Sequence, residues 1–243
     1  MTALPGRIDV MRRSEIEDLG MTRGESLPLN RTTQAFRTLR QNLKYSEGLI
    51  DGGERLEQQH VTEFDVTDLY RSAWVMAVGA LDHWVFEEVH HRALHLLLQP
   101  TKDKPSRLAK LELPLSLFDR VYHDGASLRD EFDRFLRETF RYRSFQSPDK
   151  IAEAFGHVFK GSRFWHAVAQ QMRAETGGTV TADSIRERLS HIVQRRNQIV
   201  HQADLDPGTP GQRAAIKADE ARSVVTYLEN LAAHIVMTLG PAS

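Results

Sequence analysis

The 243-residue chain is predicted to be all-α, a helical bundle with short helices inserted between longer ones. Apolar residues recur at spacings of three and four along several long segments, which is the pattern of one buried helix face. No pair of segments alternates apolar and polar residues as half-buried strands do, and no internal repeat is present. Glycine and proline clusters separate the periodic segments. Together these observations predict helices packed on one another.

The periodicity predicts seven helices. They cover about Arg31–Leu49, Thr67–Leu98, Leu128–Tyr142, Asp149–Phe159, Arg163–Ala174, Asp183–Ala203 and Ala214–Leu239. Gly52 and Gly53 are predicted to end the first helix, and Thr101–Pro114 is predicted to be a connector. Ser184 followed by Glu187 has capping-box spacing, which favours a helix start near residue 183.

Residues 1–30 have weak periodicity and several helix breakers, so we expect a flexible N-terminal arm ahead of one helical domain at 31–239. No apolar run approaches the roughly 20 residues that cross a bilayer, so no membrane association is expected. Cysteine is absent, which excludes disulfides and thiolate metal sites. A reducing, cytoplasmic location fits this composition.

The formal net charge is -1, which differs from the basic balance of many nucleic-acid-binding domains. Contact with RNA would therefore depend on local arginine clusters. Two such clusters occur along the sequence. One contains Arg186, Arg188, Arg195 and Arg196, and the other contains Arg134, Arg137, Arg141 and Arg143. Each cluster has two interpretations, a phosphate-binding surface or an ordinary solvated helix face.

The segment 194–204, QRRNQIVHQAD, places an arginine, an amide and a histidine near the end of an amphipathic helix. RNA cleavage without a metal needs a base for the 2'-hydroxyl, an acid for the leaving 5'-oxygen and a fixed cation for the phosphate. His201 suits the proton transfers because the ordinary histidine pKa is about 6.5. Arg196 suits the third role because guanidinium binds phosphate oxygens and stays charged. Asn197 could orient the histidine.

The spacing of these residues constrains their geometry. Asn197 and His201 are four apart and share one helix face, whereas Arg196 and His201 are roughly 140° apart around an ideal helix. Arg196 must reach around the helix, or the helix must bend, or the two residues flank a groove. A two-fold dimer would resolve the difficulty by bringing two arginines and two histidines into one cleft.

Other patterns have weaker functional interpretations. His91 and His95, with Glu87, form a permissible metal edge, but no third ligand is dictated and no metal or cofactor is expected. Asp82-His83 is either a packing pair or a contact to the motif helix. The three tryptophans lie in apolar stripes and are predicted to be core. The sequence contains neither a phosphate-binding loop with its lysine nor a G-x-S-x-G elbow, which disfavours NTPases and typical α/β-hydrolases.

The motif Arg196-Asn197 to His201 resembles the signature of the HEPN superfamily, in particular the RiboL-PSP-HEPN-like bacterial proteins. The segments 73–91 and 145–165 resemble that subgroup too, so the likeness extends over about residues 31–239. It implies a HEPN-like helical bundle, homodimerisation through the motif helix, and ribonuclease activity in toxin–antitoxin or antiphage systems.

On this interpretation Arg196, Asn197 and His201 are the catalytic residues, and Arg186, Arg188 and Arg195 contact RNA. Family analogy suggests a tRNA substrate and an antitoxin or defence-system protein as partner. The alternative is a catalytically silent helical module that binds RNA, a nucleotide or a partner protein. Retention of both Arg196 and His201 favours the endoribonuclease.

Overall fold

Helices form nearly all of the regular structure in the computed structural model, which describes residues 33–100, 103–141, 143–209 and 211–241. Within these ranges nine helices and no strand are present, which confirms the all-α prediction. They are α1 (Gln34–Gln58), α2 (Thr67–Leu98), α3 (Ser106–Ala109), α4 (Leu115–Tyr122), α5 (Leu128–Phe140), α6 (Pro148–Phe155), α7 (Phe164–Thr176), α8 (Ala182–His201) and α9 (Ala218–Leu239). The predicted arm at 1–30 lies outside the described residues.

Helix α2 is the centre of the fold. It packs extensively along α1, and α5, α6, α8 and α9 also contact it. Trp84 of α2 is almost fully buried, and its ring contacts Phe36 of α1 and Phe155 of α6 at centroid distances of 6.4 and 5.7 Å. Trp165 is also buried, and Trp74 is half-buried. The tryptophans therefore support packing, as their apolar stripes predict.

Several helix boundaries differ from prediction; α6, for example, ends at Phe155 and not at Phe159. Helix α2 has the predicted bounds, but α1 continues through Gly52 and Gly53 to Gln58. Gly53 is buried against the ring of Tyr70, so this glycine permits a close approach of α1 and α2 and does not end the helix. Helix α9 begins at Ala218 and not at Ala214. The Glu220 carboxylate accepts from the Lys217 backbone N–H at 3.2 Å and marks this start, and arginine side chains donate to the carbonyls of Ala214 and Ala215 ahead of it. The predicted connector contains α3, and the short helix α4 was not predicted.

The start of the motif helix is also one turn from the predicted cap. Thr181 is the N-cap, and its hydroxyl accepts a hydrogen bond from the Ser184 backbone N–H at 3.1 Å. The Ser184 hydroxyl accepts from the Thr181 N–H at 3.0 Å, which completes the capping box. Ser184 is thus the third helical residue and not the cap, and Glu187 has no part in the box.

No helix within the described ranges is long and apolar enough to cross a lipid bilayer.

Gly53→Ala should destabilise the protein, whereas Gly52→Ala should stabilise it slightly. A Cβ at Gly53 would lie 2.5 Å from Cε1 of Tyr70, but a Cβ at Gly52 meets nothing within 4 Å. We expect the free energy of unfolding to fall by about 1–3 kcal/mol for Gly53→Ala. It should rise by about 0.5–1 kcal/mol for Gly52→Ala, because alanine is the better helix former. Urea unfolding measures both; equal effects would contradict the packing argument.

Candidate functional site

The predicted motif lies in the last two turns of α8. The helix remains α-helical to His201, and the backbone N–H of Gln202 donates to the Gln198 carbonyl at 2.9 Å. Its buried residues are Ala182, Ile185, Leu189, Ile192 and Val193. The prediction that this stripe continues through the motif is wrong at Val200, whose side chain is 44% exposed, and Ile199 is half-buried. The motif end of α8 therefore projects from the core.

Arg196 and Asn197 contact each other. Nη1 of Arg196 donates a hydrogen bond to Oδ1 of Asn197 at 3.1 Å. Nε of Arg196 is shielded from solvent and has no hydrogen-bond partner among the described residues. Asn197 and His201 are both exposed, and no hydrogen bond joins them in the described part of the chain. Asn197 therefore orients the arginine, whereas the sequence suggested that it orients the histidine.

The Arg196–Asn197 contact indicates how Arg196 can approach His201, although the two residues are roughly 140° apart around the helix. At 3.6 residues per turn, Ser190, Gln194, Asn197 and His201 fall on one stripe of α8, while Arg196 starts from its flank. The bond to Asn197 brings the guanidinium around the helix toward that stripe. Among the three arrangements that the spacing allowed, the structure favours an arginine that reaches around the helix.

A groove of about 340 Å³ runs along the same stripe. Its lining comprises Ser147, Pro148, Ser190, Val193, Gln194, Asn197, Gln198 and Gln202. One wall is α8, and the other is the start of α6 with its N-cap Ser147. Sequence reasoning missed this groove, because its two walls are more than forty residues apart along the chain and no local pattern links them.

Asp82 of α2 holds residues 145–146, which lead into α6, the second wall of the groove. Its carboxylate accepts hydrogen bonds from the Phe145 backbone N–H and from Nε2 of Gln146, the latter at 2.9 Å. Of the two interpretations of Asp82-His83, these bonds favour a packing role for Asp82 over a contact to the motif helix, and His83 beside it is exposed. Asp82 thus connects the central helix α2 to the loop before α6, and its effect on the groove is indirect.

The turn after His201 is built around a buried carboxylate. Asp204 is fully buried and has a left-handed backbone with φ of 57°, as does Ala203 with φ of 51°. Its Oδ2 accepts from Nε of Arg71 at 2.7 Å and from Nη2 of Arg195 at 2.9 Å. Arg71 also donates to the Ala214 carbonyl at 2.8 Å. The two arginines offset the desolvation of Asp204 and fix the chain where it leaves α8.

The three arginines predicted to bind RNA each have partners within the fold. Arg195 belongs to the Asp204 network. Arg188 lies over the Tyr227 ring, 4.2 Å from its centroid, and burial lowers the pKa of its guanidinium. Arg186 is exposed and pairs with Asp149 at 2.9 Å. Arg188 therefore stacks on a ring and Arg195 pairs with a buried carboxylate, so both are occupied within the fold. Of the three arginines, Arg186 lies at the surface.

The second arginine cluster lines a cleft of about 810 Å³ between α2 and α5. Acidic side chains pair with several of these arginines, and one of them, Asp133, also lines the cleft. The pairs are Arg134–Glu131, Arg137–Asp133, Arg137–Glu87 and Arg143–Glu153. The charges are therefore largely balanced, which favours the solvated-face interpretation of this cluster.

A metal site finds no support in the geometry of the predicted residues. Among the described residues no group of three or more histidine and acidic side chains could hold a metal ion. His91 is exposed, and the His95 ring contacts the Gln99 side chain. The two histidines do not converge with Glu87 on one centre.

Comparison with known proteins gives no match: no family model, no curated protein and no solved structure matches the chain. Its function must therefore be argued from the end of α8. That region combines an exposed histidine, an arginine held by an amide and an open polar groove.

Proposed function

We propose that the protein is a metal-independent endoribonuclease of the HEPN type, with its active site at the C-terminal end of α8. The observation that carries the proposal is the contact of Arg196 with Asn197 on the helix face that ends in the exposed His201. Asn197, which accepts the hydrogen bond from Arg196, lines an open groove, and His201 follows it on the same stripe of α8. Arg196 can supply the cation and His201 the base for cleavage by an internal nucleophile.

In the proposed reaction, an imidazole nitrogen of His201 accepts the proton of the ribose 2'-hydroxyl. The 2'-oxygen then attacks the adjacent phosphorus, and the bond from phosphorus to the 5'-oxygen breaks. The Arg196 guanidinium donates hydrogen bonds to the non-bridging oxygens as their charge grows. A protonated histidine gives its proton to the leaving 5'-oxygen. The products carry a 2',3'-cyclic phosphate and a 5'-hydroxyl.

We propose that a second copy of the chain supplies the acid. Exposed apolar side chains flank His201, namely Val200 at 44% and Leu205 at 52% exposure, and a second α8 could cover them. Two antiparallel copies would place two histidines and two arginines in one cleft. Sedimentation should detect a dimer at micromolar protein concentration. A monomer that cleaves RNA at full rate would overturn this part of the proposal.

The biological setting follows from the HEPN resemblance alone. We propose a toxin or antiphage effector that acts on RNA, with tRNA as the favoured substrate and an antitoxin or defence-system protein as its regulator. The motif residues of the site support the chemical step. The substrate and the regulator rest on family analogy.

The decisive experiment incubates the purified protein with total RNA in EDTA. Cleavage should persist, because no step uses a metal. An oligonucleotide with a single 2'-deoxy substitution at the mapped cut should resist cleavage there, since it lacks the nucleophile. A requirement for Mg²⁺, or cutting of the deoxy substrate, would overturn the mechanism. RNA binding without any cleavage would favour the catalytically silent module.

A further inference from the structure

The groove between α8 and α6, defined above by its eight lining residues, contains no charged side chain. Its polar groups are amides and hydroxyls, which both donate and accept hydrogen bonds. The side chains of Gln194, Gln198, Gln202 and Ser190 make no hydrogen bond within the described residues. Four polar groups with no partner in the fold thus remain available to a ligand.

This chemistry limits the class of ligand. A phosphate would call for cations, and none lines the groove. A purely apolar ligand would leave the amides without partners, at the cost of their hydration. An unpaired nucleobase meets both conditions, because its edge carries adjacent donors and acceptors that glutamine and asparagine amides match in pairs. Val193 and Pro148 supply apolar surface for its flat face.

The position of the groove links it to the proposed reaction. Ser190, Gln194, Asn197 and His201 lie on one stripe of α8, so the groove runs back from the histidine along the helix. Asn197 is about 6 Å along the helix axis from His201, and Ser190 is about 16 Å from it. Gln198 and Gln194 start about 4.5 and 10.5 Å from His201 along the axis, so a base that they bind belongs to a nucleotide close to the phosphate that is cleaved.

We propose that this groove binds an unpaired nucleobase beside the scissile phosphate and sets the base preference of the enzyme, principally through Gln194 and Gln198. The proposal rests on the ribonuclease function proposed above. It implies that the substrate presents the cut site in a single-stranded loop, because a paired base cannot expose its edge to the groove.

The test uses the double substitution Gln194→Leu/Gln198→Leu, which keeps side-chain size and removes both amides. Gln170→Leu is the matched control, since Gln170 is exposed on α7 and does not line the groove. Cleavage sites in a randomised RNA pool are sequenced for the three proteins. The double variant should lose the base preference next to the cut by about 5–100-fold, the usual discrimination of a paired amide contact. The control should match the wild type.

A binding measurement separates this inference from the ribonuclease proposal. The side-chain amide resonances of Gln194 and Gln198 are followed by NMR while each of the four ribonucleoside 3'-monophosphates is added. At least one nucleotide should shift them, and ribose 5-phosphate, which has no base, should not. If RNA is not cut but these shifts occur, the ribonuclease proposal fails and base binding stands. If RNA is cut but the shifts are absent, or the base preference of the double variant is unchanged, the inference is overturned.

Discussion

His201→Ala is expected to lower the rate of RNA cleavage by at least about 10²–10⁴-fold, the usual contribution of one acid–base group. We expect a loss of about 10⁴-fold, because a dimeric site would lose both its base and its acid when His201 is replaced in each chain. His201 is exposed at the end of α8 and has no hydrogen-bond partner among the described residues, so folding should be unaffected. Single-turnover cleavage and urea unfolding measure the two effects separately.

His166→Ala is the matched control, since His166 is also an exposed helical histidine but lies on α7. It should keep wild-type cleavage. Arg196→Ala should differ from His201→Ala in reducing RNA binding as well as the rate, because the guanidinium holds phosphate before the reaction. If His201→Ala unfolds the protein, the histidine is structural and the proposed site is wrong.

Asp204→Asn should lower the free energy of unfolding by several kcal/mol, on the order of 3 kcal/mol. The substitution keeps the size of the side chain, and asparagine tolerates the left-handed backbone at this position. It removes the negative charge that balances Arg71, whose side chain is only 5% exposed, and Arg195. Arg71 would keep only its half-exposed partners Asp65 and Asp68, and Arg195 would have no carboxylate partner among the described residues.

Asp149→Asn provides the comparison for the Asp204 prediction. Asp149 pairs with Arg186 at the same 2.9 Å distance as Asp204 with Arg195, but it is largely exposed. Its loss should change the free energy of unfolding by less than about 1 kcal/mol, because solvent screens such pairs. Thermal or urea unfolding ranks the two variants. Equal destabilisation would show that burial of Asp204 is not the reason for its effect.

The helices themselves were largely predictable, because each long helix has an apolar stripe that the sequence displays. The bounds of α2 agree with prediction at both ends. The end of α1 did not follow from sequence, since the role of Gly53 depends on Tyr70 in the next helix. Val200 fits an apolar pattern but lies beyond the part of α8 that the core covers. Periodicity indicates which face is apolar but not where the packing partner ends.

The candidate site, like the helices, could be predicted from the sequence only in part. Arg196, Asn197 and His201 are close along the chain, so their types and spacing could be seen in the sequence. The partners that engage Arg188 and Arg195 could not, because Tyr227 lies on another helix and Asp204 reads as an ordinary loop residue. Long-range pairing decides whether an arginine is available to RNA, and sequence spacing does not contain that information.

The ion pair between Asp204 and Arg71 should affect local unfolding of the C-terminal end of α8. The last turn of a helix usually frays, since its final carbonyls lack partners. Here the residue three positions beyond His201 is tied to the central helix α2, so the end of α8 cannot loosen alone without exposing a buried ion pair. The turn that carries His201 and helix α2 should therefore unfold together as one cooperative unit. The backbone amides of that turn should exchange hydrogen as slowly as those of the core.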